Sequence, residues 1–462
     1  MKDSKKKRTK SRSKVRKLDE TMEQVNPSAA GIDVGSRKHL VAVSPERDEQ
    51  PVRSFGCTTP DLHEMARWLT ICGVETVAME STGVYWVPVA NVLEQHGLEV
   101  VLVDARQAKH VPGRKKTDVY DCQWIRKLHA YGLLRGAFRP ERQIQTIRGY
   151  WRHRSGLVES RSTQIQLMQK ALEQMNLQLH KALSDIAGVT GMKILRAIID
   201  GEHNPEILAK MRHKQVKSSE EEIVKSLTGD YHEEQLFILR QSVELYDHYM
   251  AKIAACDAEI ERYMATLDSK GDMTTYDGKL QASRRKNQPC FDLRQELYRI
   301  SGVDLTRIDG IDALTAQTVI SECGVNMHPF PTVKNFCSWL GLSPNNRQTG
   351  GKIKRRGTRK VVNRASTALR LAAQSLHRSN SYLGAYLRRM KARIGPQKAT
   401  TATAHKLAQL IYRMLKHGMT FVDQGQELFE KQHQERYLKN VTRRLKTMGY
   451  DLVATDTGVV VS

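Results

Sequence analysis

The apolar positions in the N-terminal part of the chain recur with the spacing of short strands and helices. Runs at residues 31–34 and 39–44 predict two strands joined by a tight turn at residues 35–37. Later runs predict a strand at residues 76–79, a helix at 86–95, a strand at 99–103 and a helix that begins near Thr117. Strands that alternate with helices indicate an α/β domain.

Four carboxylates lie within this pattern. Asp33 falls inside the first strand, and Glu80 ends the strand at residues 76–79. Asp118 and Asp121 share one face of the next helix because they stand three residues apart. Each acid alone also fits an ordinary role in a turn, at a strand end or as a helix cap. A carboxylate within an apolar strand is costly unless a ligand holds it, so the four together favour one site.

Carboxylate oxygens suit Mg²⁺ or Mn²⁺. Two such ions about 4 Å apart can clamp the attacking and leaving oxygens of a phosphodiester. The four acids therefore predict phosphoryl transfer on a nucleic acid. Acids at strand positions, combined with a hairpin and crossover helices, indicate a ribonuclease-H-like fold.

The charge of the chain narrows the range of partners. Lys and Arg number 74 against 50 Asp and Glu, which gives a formal net charge of +24 and a pI near 9.7. This balance favours a polyanion. No membrane partner is expected, because no apolar run approaches the roughly 20 residues that span a bilayer. Seven cysteines without a C-x-x-C pair argue against disulfides or zinc and favour the reducing cytoplasm.

The remaining patterns divide the chain into segments. We predict a basic disordered arm at 1–28, the α/β domain at 29–142, a helical coiled-coil region at 143–267, a linker at 268–290, a mostly helical C-terminal domain at 291–425 and a tail at 426–462. The coiled-coil region is expected to begin with one long helix, residues 143–187.

Apolar residues in that long helix step by three and four. They are Ile165, Met168, Leu172, Met175, Leu179, Ala182 and Ile186. We expect this seam to join copies of the chain in a homo-oligomer, a dimer or a tetramer. The alternative is a hairpin within one chain, in which residues 233–267 form the antiparallel return.

The C-terminal domain is basic and contains a short recognisable unit. Residues 308–324, IDGIDALTAQTVISECG, resemble a helix-hairpin-helix element whose backbone amides hold a phosphate, although an ordinary helical turn fits equally well. From Cys323 to Val422 the chain has 19 Lys and Arg and no Asp or Glu. Ordinary solvated surfaces mix both signs of charge, so this segment predicts a surface for phosphate.

Thr349 precedes two glycines within this basic segment. Glycines permit a close approach of backbone to ligand, and a hydroxyl at this position could attack phosphorus to form a covalent ester. From spacing alone, a simple turn residue is the better interpretation. The candidate nucleic-acid-binding residues are cations near Thr349 and in the basic loop before Asp118: Lys109, Arg114, Lys115, Lys352, Lys354, Arg355, Arg356, Arg359 and Lys360.

Taken together, the motifs resemble a known family. They are GIDVG, AMESTG, KTDVYDCQW, LHAYGLLRGAFRP, IDGIDALTA, WLGLSPNN, TGGK and RASTALRLAAQSLHRS. The set is similar to the DEDD-type insertion-sequence transposases of the one-ten family, above all its eleven-eleven subgroup, which are related to pilin-gene invertases. The resemblance covers residues 28–425 and keeps the motifs in order.

The resemblance implies a RuvC-like domain whose metal-binding acids are Asp33, Glu80, Asp118 and Asp121. It also implies a coiled coil, an oligomer, and a C-terminal transposase domain with a nucleophilic serine that forms a covalent link to DNA. A structured non-coding guide RNA would pair with donor and target DNA.

The family's serine falls on Thr349 in this chain. The additional methyl group restricts the rotamer and crowds an in-line approach, so Ser343 or Ser338 remains an alternative nucleophile.

The sequence therefore predicts an RNA-guided DNA transposase that works by metal-assisted phosphoryl transfer. One alternative is a structure-selective nuclease of the Holliday-junction type, which needs the acids but not the hydroxyl. The other is a nucleic-acid-binding protein without enzymatic activity, which would tolerate the loss of every carboxylate.

Overall fold

Five strands of the N-terminal part form one mixed sheet. They are β1 (Ala29–Val34), β2 (His39–Ala42), β3 (Val52–Phe55), β4 (Thr76–Glu80) and β5 (Glu99–Val103). Their order across the sheet is β3-β2-β1-β4-β5. Strand β1 is antiparallel to β2 and parallel to β4. Every residue of β4 is buried, as expected for a strand covered by helices on both faces.

The structure is a computed structural model that describes residues 23–81, 83–104, 117–274, 276, 287–355, 357–418 and 425–453. Contacts within the chain define two units, Met1–Arg139 and Pro140–Ser462. In the described ranges, no helix has both the length and the apolar character needed to cross a bilayer.

Among the described residues of the first unit, three helices accompany the sheet: α1 (Thr59–Ile71), α2 (Trp86–Gln95) and α3 (Asp118–Ala130). The predicted bounds of α2 and β5 are confirmed. The sequence reasoning did not predict β3 or α1. Helix α1 begins where the Thr58 N–H donates to the Asp61 carboxylate (3.0 Å), with Pro60 in its first turn. One face of the sheet forms a core with α1 and α2, in which Ile32 and Met79 are fully buried.

Two long antiparallel helices begin the second unit, α4 (Arg142–Gln174) and α9 (Glu233–Ala265). Arg154 of α4 pairs with Asp257 of α9, and both side chains are buried. Further along α4, the Arg161 guanidinium lies 3.2 Å from the Met250 sulfur. The later residue of α4 thus contacts the earlier residue of α9, so the two helices run antiparallel. The hairpin alternative predicted this antiparallel return.

The prediction of one helix over residues 143–187 is wrong beyond Gln174. Asn176 has a φ of +54°, which no right-handed helix adopts. The Met175 carbonyl accepts a hydrogen bond from the Asp230 N–H (3.0 Å). A Cβ at Gly229 would lie 2.5 Å from the same carbonyl oxygen. A distant segment of the chain therefore ends the helix, although the apolar spacing continues past it.

The apolar seam of α4 is buried inside the chain. Met168, Leu172 and Met175 belong to one core with Leu239 and Val243 of α9. The interpretation that this seam joins two copies is therefore wrong for these residues, because their surface is already covered. The oligomeric state itself stays a prediction.

Four short helices lie between the two long ones and share this core: α5 (Leu179–Ala182), α6 (Val189–Ile199), α7 (Pro205–Ala209) and α8 (Glu220–Leu227). We call residues 175–232 the middle module. The described part of the predicted linker at 268–290 is fixed by hydrogen bonds. The Arg299 carbonyl accepts from the Lys270 and Gly271 N–H groups. The Asn287 carbonyl accepts from Arg154 at 3.0 Å.

The C-terminal part is mostly helical, as predicted. Its helices are α10 (Leu293–Ser301), α11 (Ala313–Cys323), α12 (Val333–Trp339), α13 (Arg364–Ser375), α14 (Tyr382–Ile394), α15 (Pro396–His417) and α16 (Gly425–Thr447), and its two strands are β6 (Arg347–Thr349) and β7 (Lys352–Arg355). Glu322 of α11 accepts from Arg152 (2.7 Å), which ties this part to α4.

Candidate active site

Asp33 and Glu80 lie side by side on one face of the sheet. The parallel pairing of β1 with β4 places Ile32 opposite Met79, and both of these side chains point into the core with α1 and α2. Side chains alternate between the two faces of a strand. The next residues on the two strands, Asp33 and Glu80, therefore share the opposite face.

Glu80 carries an unusual carboxylate. The residue is only 8% exposed, and its Oε1 atom has no hydrogen-bond partner among the residues that the structure describes. A buried carboxylate oxygen without a partner is strongly unfavourable, because neither water nor a donor replaces its lost hydration. Glu80 Oε1 is therefore positioned to accept a ligand from outside the chain.

Helix α3 covers the face that carries these two acids. A Cβ at Gly31 would lie 2.3 Å from the Arg126 backbone nitrogen and 2.4 Å from the Cys122 carbonyl oxygen, so α3 contacts the backbone of β1 directly. Burial raises the pKa of the Cys122 thiol to about 12, and the negative charges of Asp33 and Asp121 act in the same direction. Cys122 therefore lies near both acids.

The first turn of α3 supplies the remaining two carboxylates. The helix begins at Asp118, after Thr117, whose hydroxyl accepts from the Tyr120 N–H at 3.4 Å. Asp118 is exposed and Asp121 is half-buried. Three separate elements thus carry the four predicted acids, and the fold brings α3, β1 and β4 into contact around Gly31.

The side chains do not stand at coordination distance. Within the described part of the chain, no three His, Cys, Asp or Glu side chains are placed to hold a metal ion. Their chemistry nevertheless fits Mg²⁺ or Mn²⁺, since all four candidates offer carboxylate oxygens and one of these is buried without a partner.

Thr349 is the last residue of β6 in a two-residue hairpin. It pairs with Lys352, the first residue of β7. Gly350 and Gly351 have φ values of +54° and +74°, the left-handed conformation at both positions that defines a type I′ turn. The Thr349 side chain is exposed. The two glycines are therefore explained by the turn, and the hydroxyl is accessible at its edge.

The two alternative hydroxyls differ from Thr349 in their surroundings. Ser338 is half-buried at the end of α12, where the Arg359 guanidinium donates to its carbonyl oxygen (2.5 Å) and its hydroxyl (3.4 Å). Ser343 is also half-buried. Thr349 is thus the most accessible of the three candidate hydroxyls.

The structure describes only some of the cations that were predicted to bind nucleic acid. Lys352, Lys354, Arg359 and Lys360 are exposed on or after the β6-β7 hairpin. Arg355 ends β7, where its backbone pairs with Arg347. Four further candidates lie outside the described residues: Lys109, Arg114, Lys115 and Arg356.

The predicted helix-hairpin-helix unit forms a turn followed by α11. Gly310 has a φ of +85°, and a Cβ there would lie 2.9 Å from the Ala372 carbonyl oxygen of α13. Asp312 accepts from the Thr315 N–H (2.8 Å) and begins α11. A cleft of about 600 Å³ lies beside the turn. Its role in binding stays a prediction.

Gly31 is the site residue that the sequence reasoning missed. A glycine inside an apolar strand often marks a close approach of another backbone. That signal was present in GIDVG, but the approaching element is α3, which lies far away in the sequence.

A mixed sheet with acids on one face, together with a basic helical unit, is the arrangement expected of an enzyme that acts on nucleic acid. Residues 30–177 match a family model for DEDD transposases of the IS110 type, described as Transposase. Residues 304–388 match the Transposase IS116/IS110/IS902 family. The two matches together cover about half of the 462 residues.

The chain belongs to the IS110 family of DEDD transposases and is a DNA transposase with a ribonuclease-H-like N-terminal domain. The predicted one-ten family is this family and is confirmed, whereas the eleven-eleven subgroup stays a prediction. A comparison with curated proteins gave no match.

Proposed function

We propose that this transposase is RNA-guided and that it cuts and rejoins DNA by metal-assisted phosphoryl transfer. The observation that supports this most is the buried Glu80 Oε1, which has no partner among the described residues and lies on the same sheet face as Asp33. The proposed ligands of Mg²⁺ or Mn²⁺ are the four acids: Asp33, Glu80, Asp118 and Asp121.

The proposed metal ligands lie on two kinds of element, the strands of the sheet and the exposed first turn of α3. Glu80 and Asp33 are fixed by strands at the centre of the sheet, so their carboxylates present a preorganised edge. Asp118 is exposed on the first turn of α3 and can close on a substrate when it arrives. A bound divalent ion would neutralise charge on the phosphoryl oxygens and orient the attacking oxygen.

Thr349 is our candidate nucleophile. Its Oγ1 would bond to phosphorus while the P–O bond to the neighbouring nucleotide breaks. The Oγ1 proton would pass to solvent or a base, and the released DNA oxygen would take up a proton and leave as a hydroxyl. The ester conserves the energy of the broken bond for religation. Exposure of Thr349 at a tight hairpin supports this role, because the hydroxyl is accessible from outside the chain.

The guide RNA and the oligomer are parts of the same proposal. The acid-free segment from Cys323 to Val422 supplies the positive charge that a structured RNA and two DNA molecules require. Sequencing the nucleic acid that purifies with the full chain tests this directly. One enriched RNA species is the expected result, and purification without any specific RNA would contradict guidance.

The acidic site is tested by neutral isosteres. Asp33→Asn, Glu80→Gln and Asp121→Asn should each lower metal-dependent strand cleavage by on the order of a hundredfold or more. Glu64→Gln is the matched control, because Glu64 is exposed on α1, which packs on the opposite face of the sheet. Cleavage that survives all three site variants would contradict the proposed metal site. Nucleic-acid binding by the unaltered chain without any metal-dependent cleavage would favour a non-enzymatic nucleic-acid-binding protein.

The nucleophile is tested by adduct formation. Thr349→Ser should retain or increase the covalent protein–DNA adduct, since it keeps the hydroxyl and removes the crowding methyl. Thr349→Ala should abolish the adduct, whereas Ser343→Ala and Ser338→Ala should retain it. Full cleavage by Thr349→Ala would favour the structure-selective nuclease, which attacks with water.

A further inference from the structure

The middle module lies mostly outside both family matches. Those matches end at residue 177 and resume at residue 304. The module has a core of its own, in which Ile194, Leu195 and Ile198 of α6 are fully buried. A folded element that the family models do not describe therefore sits inside this transposase.

The module repeats the pattern of the hairpin before α11. Five positions correspond at a constant separation along the chain, each with the same or a similar residue in both copies: Leu183 and Leu305, Ile186 and Ile308, Gly188 and Gly310, Val189 and Ile311, Ile198 and Ile320. In both copies the leucine and the isoleucines at the first, second and fifth positions are buried.

The two copies also share a course of the chain. A short helical turn ends just before the paired leucine in one copy (Leu179–Ala182) and begins at it in the other (Leu305–Arg307). A helix of 11 residues follows the glycine in each copy and begins two positions later in the second. The glycine turns differ in conformation, since only Gly310 has a positive φ. A cleft lies beside the glycine turn in each copy.

The cleft of the middle module lies between two segments that hydrogen bonds hold together. Its volume is about 810 Å³. The Thr190 hydroxyl accepts from the His213 N–H (3.1 Å), and the Ser218 hydroxyl donates to the Ala182 carbonyl (2.7 Å). These two bonds hold the 213–218 segment against the hairpin and form the opposite wall. Arg212 shapes that segment by donating to the Ser218 carbonyl at 2.9 Å.

The rim of the cleft is cationic. Lys181 and Lys217 line it from opposite walls, and both are exposed. Its other ionisable lining groups are His180, His213 and Asp185. The Asp185 carboxylate accepts from the Ala187 N–H (3.1 Å) and is thereby committed to the hairpin. Two lysines that line one cleft complement a polyanion.

We propose that the middle-module cleft binds the sugar-phosphate backbone of a nucleic acid, between Lys181 and Lys217. The contact is with the backbone, because the described walls offer cations and hydroxyls, which bind phosphate and sugar. This proposal goes beyond the proposed cleavage chemistry, since it adds a nucleic-acid-binding surface outside both matched segments.

The test compares two pairs of lysines in the same module. Lys181→Gln with Lys217→Gln removes the cations of the cleft. Lys210→Gln with Lys225→Gln removes the same charge from exposed positions that do not line it. Binding of the full chain to a labelled duplex is measured at several salt concentrations without divalent metal, so the acidic site does not contribute.

The cleft variant should lower the slope of log affinity against log salt by roughly 1.8, because each lost duplex phosphate contact contributes about 0.9. The control variant should leave the slope close to that of the unaltered chain. Equal slopes for the two variants would overturn the proposal. Unchanged melting temperatures show that both variants fold, as expected for exposed side chains.

Lysine acetylation read by mass spectrometry gives an independent measurement on the unaltered chain. Bound nucleic acid should protect Lys181 and Lys217 but not Lys210 or Lys225. Parallel experiments with duplex DNA and with structured RNA identify the source of the backbone, and absence of protection with both would overturn the proposal. Cleavage that depends on Glu80 would remain intact in that case, so the two proposals fail separately.

Discussion

Gly31 determines how closely α3 can approach the acids. A methyl group at this position would lie 2.3 Å from the Arg126 nitrogen and 2.4 Å from the Cys122 carbonyl oxygen, both of which are backbone atoms of α3. Backbone cannot rotate out of the way as a flexible side chain does. The glycine thus allows the helix that carries Asp118 and Asp121 to pack directly on the strand that carries Asp33.

Gly31→Ala should therefore damage both stability and catalysis. Forcing a methyl group into this contact should cost about 1–3 kcal/mol in the free energy of unfolding. It should also shift α3 and lower metal-dependent cleavage more than it lowers DNA binding. Urea denaturation and a cleavage assay on the same preparation measure the two effects.

Gly156→Ala is the control for this substitution. Gly156 lies within α4, and a Cβ there would meet nothing within 4 Å. Alanine in a helix interior should leave stability unchanged or raise it by up to about 1 kcal/mol. If Gly31→Ala behaved in the same way, the close contact between α3 and β1 would be wrong.

At single positions, the sequence predicts the element on which a side chain lies better than it predicts where that side chain points. Asp33 and Glu80 were assigned to strands from local apolar runs, and the structure places them on neighbouring strands. The burial of Glu80 and the orphaned oxygen depend on packing by distant elements. No local pattern contains that information.

At the level of elements, local signals succeed where a segment contains its own boundaries. Helix α2 and strand β5 match their predicted limits because each is a single apolar run between breakers. Helix α4 ends earlier than predicted because the Asp230 N–H and Gly229 meet the Met175 carbonyl from far along the chain. Tertiary contact overrides periodicity at such a place.

Two buried histidines make the first unit sensitive to acid. His39, the first residue of β2, is 2% exposed, and its Nδ1 has no hydrogen-bond partner among the described residues. His129, in the last turn of α3, shares a 2.9 Å hydrogen bond with the Thr76 hydroxyl of β4. Burial lowers the pKa of both side chains from the ordinary value of 6.5.

Stability should therefore fall as the pH drops below about 6.5. The folded unit keeps both rings neutral, while the unfolded chain takes up protons as the pH passes through 6.5. The stabilisation is fully present above that pH and is lost as the pH falls towards the lowered pKa values. Calorimetric unfolding of the full chain at pH 7.5 and pH 5.5 measures the difference.

His129→Gln should reduce this pH dependence. The amide can keep the hydrogen bond to the Thr76 hydroxyl but carries no titrating group. The variant should lose less stability between the two pH values than the unaltered chain does. An identical loss in both proteins would show that His129 does not titrate during unfolding.

At the scale of the whole molecule, positive charge is concentrated rather than spread. The segment from Cys323 to Val422 contributes +19 of the formal +24, because it contains 19 Lys and Arg and no acid. The arm at residues 1–28 adds +6, with 10 Lys and Arg against 4 Asp and Glu, and the two signs nearly balance in the rest of the chain. The long helices α4 and α9 even bury an ion pair, Arg154 with Asp257. Nucleic acid should therefore be held mainly by the C-terminal part.

This concentration predicts steep salt dependence that is local in origin. If the C-terminal surface contacts six to ten phosphates, affinity for nucleic acid should fall by roughly 10³ to 10⁵ between 50 and 200 mM salt.

Lys352→Gln with Lys354→Gln, both exposed on β7, should lower the slope of log affinity against log salt by roughly 1.8. Lys170→Gln with Lys252→Gln removes equal charge from exposed positions on α4 and α9 and should change it little. A uniform response to both pairs would mean that net charge alone attracts the polyanion, and the acid-free segment would then have no special role in binding.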